Sequence, residues 1–200
     1  MTAQRPVEHP IPTETLADVL WRRLDRPSFE HCRVLRADPL ISVQGCVLTV
    51  AEGTPLRVDY LVVCSPEWIT HTANVHLTHG REHRVMELRR GDSGVWVRDG
   101  QEVPEMEGLI DIDLALTPAT NTLPIRRLGL NLGEEAKVEA VWVEFPSLSL
   151  QRLAQQYTRT AQQRYLYQSR DGAFHADLDV DAEGVVVRYG NIWERVAPTP

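Results

Sequence analysis

The sequence predicts a mainly β fold, built as an antiparallel meander with one or two short helices. Short segments in which apolar and polar residues alternate recur along the chain, and this pattern is typical of strands with one buried face. Turn-forming pairs, among them Asp38-Pro39 and Asp99-Gly100, separate these segments. The 200 residues are 42% hydrophobic and 24% charged, which is enough for one domain with a hydrophobic core, and we expect it over residues 13–200.

The N-terminal segment begins with a proline-rich, polar stretch over residues 1–12, which predicts a disordered tail. The residues that follow leave helix and strand open. Thr15 and Asp18 have the spacing of a helix capping box, and Leu16 and Leu20 fit helical periodicity. A single short pattern of this kind is readily overridden when the segment pairs with neighbouring strands.

Strands are predicted next over residues 29–36, 40–50, 56–64, 68–78, 84–88 and 94–98. The strand over residues 68–78 has two faces of different character. One face carries Trp68, Thr70 and other polar residues, whereas the opposite face carries Val75 and Leu77. The threonine-rich face either lies in water or, in a sheet that cups a ligand, lines the wall of a cavity.

The stretch 109–130 organises the rest of the chain. It opens as a short strand in which Ile112 and its alternate apolar neighbours point to one side, while Asp111 and Asp113 point to the other. A rigid turn follows, because Pro118 fixes its φ angle and the side chains of Asn121 and the nearby threonines can bond to the backbone.

After this turn the chain is predicted to return as a strand over residues 123–130. Neighbouring residues of a strand face opposite ways. Either Arg126 or Arg127, but not both, should therefore point toward the side that carries the two aspartates.

The remaining chain is predicted to contain a strand over residues 137–145 that ends at Pro146. The best remaining helix candidate covers residues 147–163, where Leu150, Leu153 and Tyr157 form a narrow apolar stripe. Further strands are predicted over residues 164–169, 174–180 and 185–189, with glycine-containing turns between them.

The central stretch also carries a family resemblance. It contains the acidic strand Asp-Ile-Asp-Leu, the turn Thr-Pro-Ala-Thr-Asn-Thr-Leu-Pro and the pair Arg126-Arg127, and looser matches include Trp68-Ile69-Thr70 and Gln156-Tyr157-Thr158. On these segments, and more loosely over most of its length, the chain resembles the bacterial putative glycolipid-binding proteins.

The resemblance implies an antiparallel sheet curved into an open or closed barrel, and a lipid-type ligand. It also makes residues 19–24 a first strand, which we adopt over the helix. Apolar strand faces would take the acyl part of such a ligand, and a polar rim would hold its head group. The residues expected at this ligand site are Trp68, Thr70, Asp111, Asp113, Asn121, Arg126, Arg127 and Tyr157.

Composition and charge exclude several classes of function. A net charge of −7 and a pI of about 5.5 argue against binding nucleic acid through a concentrated positive surface. No run approaches the roughly 18 apolar residues of a membrane span, and the N-terminus lacks the apolar core of a secretory signal, so we expect a cytoplasmic protein. The three widely spaced cysteines argue against a disulfide framework and against a zinc site.

Four histidines, His71, His76, His79 and His83, lie close together, and imidazole is a common metal ligand. They straddle two predicted strands and the turn at Gly80 without a metal-binding motif, so we interpret them as exposed side chains at the end of a hairpin. Glycine-rich phosphate-binding motifs and the nucleophile elbow of α/β-hydrolases are absent from the sequence. We therefore expect neither a metal nor a cofactor.

Asp111 and Asp113 allow two interpretations. Their separation along a strand is about 7 Å, and two carboxylates at such a distance can divide the acid and base roles of glycoside hydrolysis. The neighbouring arginines favour a salt-bridged cluster that pins the turn. Such a cluster would lower the pKa of both carboxylates, which is the wrong direction for a general acid.

The leading hypothesis is a non-enzymatic protein that binds an amphipathic ligand, with a glycolipid implied by the resemblance alone. The first alternative is a hydrolase that acts on a glycoside through Asp111 and Asp113. The second is a self-associating interaction protein, since an open half-barrel leaves strand edges that can pair into a homodimer.

Overall fold

The computed structural model describes residues 13–197, which contain one sheet of fifteen strands and one α-helix. The predicted tail over residues 1–12 lies outside the described residues. In chain order the elements are β1 (Thr13–Arg23), β2 (Ser28–Ala37), β3 (Leu40–Ala51), β4 (Thr54–Cys64), β5 (Thr70–His79), β6 (Glu82–Arg90), β7 (Trp96–Arg98), β8 (Gln101–Val103), β9 (Asp111–Leu114), helix α1 (Thr122–Leu128), β10 (Glu135–Val143), β11 (Leu150–Ala161), β12 (Arg164–Ser169), β13 (Phe174–Val180), β14 (Val186–Tyr189) and β15 (Trp193–Ala197).

The strands follow the order β8-β7-β6-β5-β4-β3-β2-β1-β15-β14-β13-β12-β11-β10-β9. Every neighbouring pair is antiparallel except β9 and β10, which run parallel. Parallel neighbours cannot be joined by a tight hairpin, and here the connection between them contains helix α1. In the middle of the sheet β1 pairs with β15, so that Arg22 lies opposite Glu194.

The predicted mainly β, antiparallel fold with a short helix is confirmed. The sheet is open, because β8 and β9 are its two edge strands and do not pair with each other. A closed barrel is therefore not formed by the described residues. One backbone hydrogen bond links strands far apart in this order, since the N–H of Thr70 in β5 donates to the carbonyl oxygen of Ile110, just before β9, at 3.1 Å.

The core lies on the face where alternate residues of each strand are buried. In β5 the residues Ala73, Val75 and Leu77 are buried, and the threonine-rich face from residue 72 onward points to the outside. The residues of this face line neither of the two cavities described below. Thr70 is buried because the pairing of β4 with β5 shifts register beside it, which turns its side chain to the inner face.

Residues Thr122–Leu128 form helix α1 where a returning strand was predicted, so that prediction is wrong. Pro124 lies in the first turn, where its missing N–H removes no intrahelical hydrogen bond. Gly129 ends the helix with a φ of 54°, a left-handed conformation that glycine adopts without steric cost. The helix buries Leu123 and Ile125 in the core.

Strand β11 occupies most of the helix predicted over residues 147–163, so this prediction is also wrong. β10 and β12 flank it and pair with it in antiparallel fashion. The two ladders satisfy the backbone groups of β11, and Gln155 and Tyr157 turn inward. A helix over these residues would bury only a narrow apolar stripe, which stabilises it less than pairing with β10 and β12 stabilises a strand.

Candidate functional site

The principal cavity, which we call the main cleft, lies between the segment before β9 and strands β10 to β12. Its volume is about 890 Å³. Both apolar side chains and hydrogen-bonding groups line it, so one cavity presents both kinds of surface. The apolar residues that line it include Leu109, Ile110, Val138 and Ala154, and the polar ones include Asp111, Arg127, Lys137, Glu139, Arg152, Gln155, Gln156 and Gln168.

Three side chains fix the segment that forms one wall of the main cleft. Arg152 of β11 donates from Nη1 to the carbonyl oxygen of Glu105 at 2.9 Å. The carbonyl oxygen of Leu109 accepts from Nε1 of Trp96 at 2.9 Å and from Nε of Arg90 at 3.0 Å. The wall is therefore anchored to strands at both ends of the sheet.

An ion pair between Asp111 and Arg127 lies on the wall of the main cleft. The guanidinium donates from Nε to Oδ1 of Asp111 at 3.1 Å, and from Nη2 to Oδ2. The carboxylate is only 1% exposed, and its burial raises the pKa of Asp111 although the Arg127 guanidinium opposes this shift. The pair removes both charges from the hydrogen-bonding surface of the cleft.

Asp113 lies in a hydrogen-bonded chain behind the cleft wall. Nε2 of Gln155 donates to its Oδ2 at 2.5 Å. The hydroxyl of Tyr157 lies 3.4 Å from Oε1 of the same glutamine and donates to Oδ1 of Asn121 at 3.0 Å. Burial raises the pKa of Asp113 to about 6, against the lowering effect of the Gln155 bond.

The predicted lowering of both aspartate pKa values is therefore wrong. The partner of Asp113 is a neutral amide, and desolvation outweighs its hydrogen bond. At Asp111 desolvation outweighs the arginine as well. Of the two aspartates expected in a salt-bridged cluster, Asp111 is paired with an arginine, whereas Asp113 has no arginine partner among the described residues.

Arg126 and Arg127 point to different places, as predicted, but on a helix rather than on a strand. The guanidinium of Arg126 lies 5.3 Å from the ring centre of Trp68 and 3.5 Å from the carboxylate of Glu183. Successive helical residues are rotated by about 100°, which is enough to separate the two side chains. Arg126 is therefore held outside the main cleft.

The residues predicted for the ligand site are thus divided among three places. Asp111 and Arg127 line the main cleft, whereas Asp113, Asn121 and Tyr157 form the chain behind it. Trp68, Thr70 and Arg126 do not line the cleft. The hydroxyl of Thr70 is buried without a hydrogen-bond partner.

Sequence reasoning missed the cleft residues Gln155 and Lys137, the chain's single lysine. Gln155 is in phase with Tyr157 along β11, so the signal was present once the segment is treated as a strand. The incorrect helix assignment concealed it.

Sequence reasoning also missed a buried carboxyl group, Glu30 of β2. The hydroxyls of Tyr60 and Thr117 donate to its Oε1 at 2.5 and 2.6 Å, and its Oε2 has no partner. Complete burial raises the pKa of Glu30 to about 8. Because Thr117 also accepts from the N–H of Ala119 at 2.9 Å, Glu30 fastens the turn that leads into helix α1.

The histidine cluster does not assemble. His71 and His76 are exposed, the Nε2 atom of His79 lies 3.0 Å from the carbonyl oxygen of Ala51, and His83 contacts Thr78. Within residues 13–197 no group of three or more His, Cys, Asp or Glu side chains is arranged to hold a metal ion. None of the helices in this part of the chain has the length and apolar character to span a membrane.

Comparisons with known proteins place these features in context. The sequence profile of a family described as Putative glycolipid-binding matches residues 18–195. The chain is also similar to the crystal structure of a DUF1089 family protein from Pseudomonas aeruginosa, with 32% identity and a TM-score of 0.77. That match covers 84% of this chain and 92% of the other. The comparison with curated proteins gave no significant match.

Proposed function

Because this chain belongs to the family described as Putative glycolipid-binding, we propose that it binds an amphipathic ligand of the glycolipid type in the main cleft. The observation that carries the proposal is the composition of the cleft, in which apolar and hydrogen-bonding walls share one cavity of about 890 Å³. Small-molecule sites commonly have volumes of roughly 300 to 1,000 Å³ and combine these two kinds of surface.

The polar wall favours a neutral, hydroxyl-rich head group. The guanidinium of Arg127 is paired with Asp111, and Nη2 of Arg152 lies 2.8 Å from the carboxylate of Glu139. Lys137 has no ion-pair partner among residues 13–197, but the carboxylates of Glu107 and Asp171 also line the cleft, so there is no excess of positive charge to attract a phosphate. The amide side chains of Gln156 and Gln168 also line the cleft, and an amide has both donors and acceptors, which suit sugar hydroxyls.

The apolar wall suits the hydrocarbon part of the same ligand. Leu109 and Ile110 lie on the segment before β9, and Val138 of β10 and Ala154 of β11 also line the cleft. Burial of a methylene group from water contributes about 0.8 kcal/mol. A short alkyl chain on the sugar should therefore raise the affinity measurably.

The direct test is lipid extraction and native mass spectrometry of protein purified from its own organism. We expect a co-purifying molecule whose fragmentation yields a neutral sugar and an acyl or alkyl chain. Protein that is reproducibly free of ligand in such preparations, and that also fails the binding test below, would refute the proposal.

A binding test uses octyl glucoside and octyl phosphocholine below their micelle concentrations, which share the chain and differ in head group. We expect the glucoside to bind more tightly. Ala154→Trp fills the cleft and should abolish this binding, whereas Ala161→Trp, at an exposed position of the same strand outside the cleft, should not. Equal binding by both variants would place the ligand elsewhere.

A further inference from the structure

A second cavity, the arginine pocket, lies where helix α1 ends, between the turns that connect β11 with β12 and β13 with β14. Its volume is about 320 Å³, and no residue that lines it also lines the main cleft. The residues on which its chemistry depends are Arg126, Arg159, Gln162, Gln163, Asp181 and Ala182.

Arg159 brings a fixed positive charge to the arginine pocket. Its Nη1 donates to the carbonyl oxygen of Leu130 at 2.7 Å and its Nη2 to that of Gln162 at 2.5 Å. The guanidinium also lies 5.8 Å from the ring centre of Tyr165. Its partners are neutral, and no carboxylate within residues 13–197 forms an ion pair with it. The charge of Arg159 is therefore oriented but not neutralised.

The carboxylate of Asp181 does not neutralise the pocket, because its oxygens are already engaged. Oδ1 accepts from the N–H groups of Glu183 and Val185 at 3.0 and 2.9 Å. Oδ2 accepts from Nη1 of Arg195 at 2.7 Å, so the charge of Asp181 is balanced outside the pocket. Glu183 is the other nearby carboxylate, and it lies on the exposed turn, 3.5 Å from Arg126.

Arg126 supplies the second guanidinium, and its side chain is confined on two sides. The ring of Trp68 lies 5.3 Å from its terminal carbon. On the other side is Gly184, where a Cβ atom would come within 3.1 Å of Cδ of Arg126. The absence of a side chain at Gly184 thus leaves room for the arginine to run along the turn toward the pocket.

We propose that the arginine pocket binds a phosphoryl-type oxyanion, either free phosphate or the terminal group of a small phosphate monoester. Arg159 has no carboxylate partner within residues 13–197, and Arg126 shares its charge only with Glu183 on the exposed turn, so the pocket holds an excess of positive charge. Such an excess suits an oxyanion, to which arginine donates charge-assisted hydrogen bonds. The exposed amides of Gln162 and Gln163 add donors at the mouth. A volume of about 320 Å³ is at the small end of ligand sites, which suits a compact ligand.

The test is calorimetric titration of the full chain with inorganic phosphate and, separately, with glycerol 3-phosphate at constant ionic strength. We expect saturable binding with a dissociation constant on the order of 1 mM or tighter. Similar affinities for both ligands would show that a free phosphate is sufficient for binding. Tighter binding of glycerol 3-phosphate would show that the preferred ligand is a phosphate monoester. The absence of saturable binding of either ligand would overturn the proposal.

Variants at Ala182 distinguish an effect of charge on binding from an effect on folding, because this residue is exposed on a turn and tolerates larger side chains. Ala182→Glu places a carboxylate at the pocket and should weaken phosphate binding at least about tenfold, which corresponds to about 1.4 kcal/mol. Ala182→Gln has nearly the same size without the charge and should bind almost as the unmodified chain does. Equal affinities of the two variants would contradict the proposal.

A second pair of variants tests the arginine itself. Arg126→Gln should weaken phosphate binding severalfold, whereas Arg81→Gln, which removes one positive charge from the exposed β5–β6 turn, should not. Equal losses would show that only net charge matters, which contradicts a defined site. Ala154→Trp should leave phosphate binding unchanged, so a failure of the main-cleft proposal can be distinguished from a failure of this one.

Discussion

The guanidinium of Arg127, at the end of helix α1, donates to both carboxylate oxygens of Asp111, the first residue of β9. Strands β9 and β10 are the parallel pair of the sheet, and the crossover between them contains this helix. The ion pair therefore ties the end of the crossover helix back to the strand from which the crossover starts.

Arg127→Ala should destabilise the fold, because it leaves the buried carboxylate of Asp111 without its cationic partner. We expect the free energy of unfolding to fall by about 1 to 3 kcal/mol. Urea denaturation near pH 7 measures this change. The double variant Asp111→Asn, Arg127→Ala should recover part of the loss, because it no longer buries an unpaired charge.

Arg126→Ala is the matched comparison for Arg127→Ala. Its contacts are the ring of Trp68 and the exposed Glu183, and contacts of this kind contribute up to about 1 kcal/mol. We expect a smaller loss of stability than for Arg127→Ala. Large and equal losses from both substitutions would contradict the separate roles that the geometry assigns to them.

Glu30→Gln should change how stability depends on pH. An accessible glutamate has a pKa of about 4.5, and burial raises the pKa of Glu30 to about 8. Between these values the folded state retains a proton that the unfolded state releases. The stability that Glu30 contributes is therefore fully present below pH 4.5 and is lost as the pH rises toward 8. The loss should approach about 1.4 kcal/mol per pH unit.

The measurement for Glu30 is the difference in unfolding free energy between the two proteins at several pH values. Glutamine keeps an oxygen that can accept from Tyr60 and Thr117, but it cannot ionise. The substituted protein should therefore gain stability relative to the unmodified one as the pH increases from 5 to 8. A difference that stays constant over this range would show that Glu30 does not titrate in it.

Gly45→Ala should be costly, because Gly45 faces Tyr60 across β3 and β4. A Cβ atom there would lie 2.5 Å from the hydroxyl oxygen of Tyr60, the group that donates to Glu30. We expect destabilisation of about 1 to 3 kcal/mol in a urea titration. Gly91→Ala, where the nearest atom is 3.4 Å away, should stay within about 0.5 kcal/mol, and comparable losses would contradict this steric argument.

We expect no hydrolysis of nitrophenyl glycosides by the purified protein. Asp111 is bound by Arg127, and Asp113 lies behind the cleft wall with Gln155, so the two carboxylates do not face one substrate position. The measurement is the release of coloured nitrophenol at pH 5 to 7. Release that disappears in Asp113→Asn would contradict this prediction and support the hydrolase alternative.

Most strands could be predicted from the sequence because the pattern that specifies each of them lies within the strand and its flanking turns. Alternation with a period of two, bounded by proline and glycine turns, placed β2 to β6 and β12 to β14 close to their observed positions. The faces of β4 also follow directly from this alternation, with Val58, Tyr60 and Val62 buried together.

The errors fell where the deciding contacts are distant in sequence. Helix α1 has seven residues, which is too short for a helical period to stand out, although Pro124 and Gly129 marked its ends. Strand β11 is set by ladders to β10 and β12 that local propensity does not describe. The bonds of Glu30 to Tyr60 and Thr117 span 30 and 87 residues, so the sequence did not disclose its role.

The pairing of β1 with β15 has a consequence for how the chain folds. Arg22 and Glu194 are 172 residues apart in sequence and meet in the middle of the sheet, so the two halves of the sheet join only when β15 is available. Contacts of such high sequence separation slow folding, because a long loop must close before they form. During synthesis on the ribosome, one edge of β1 should therefore stay unpaired until nearly the whole described chain has emerged. In this period a chaperone that covers exposed strand edges would protect the nascent protein.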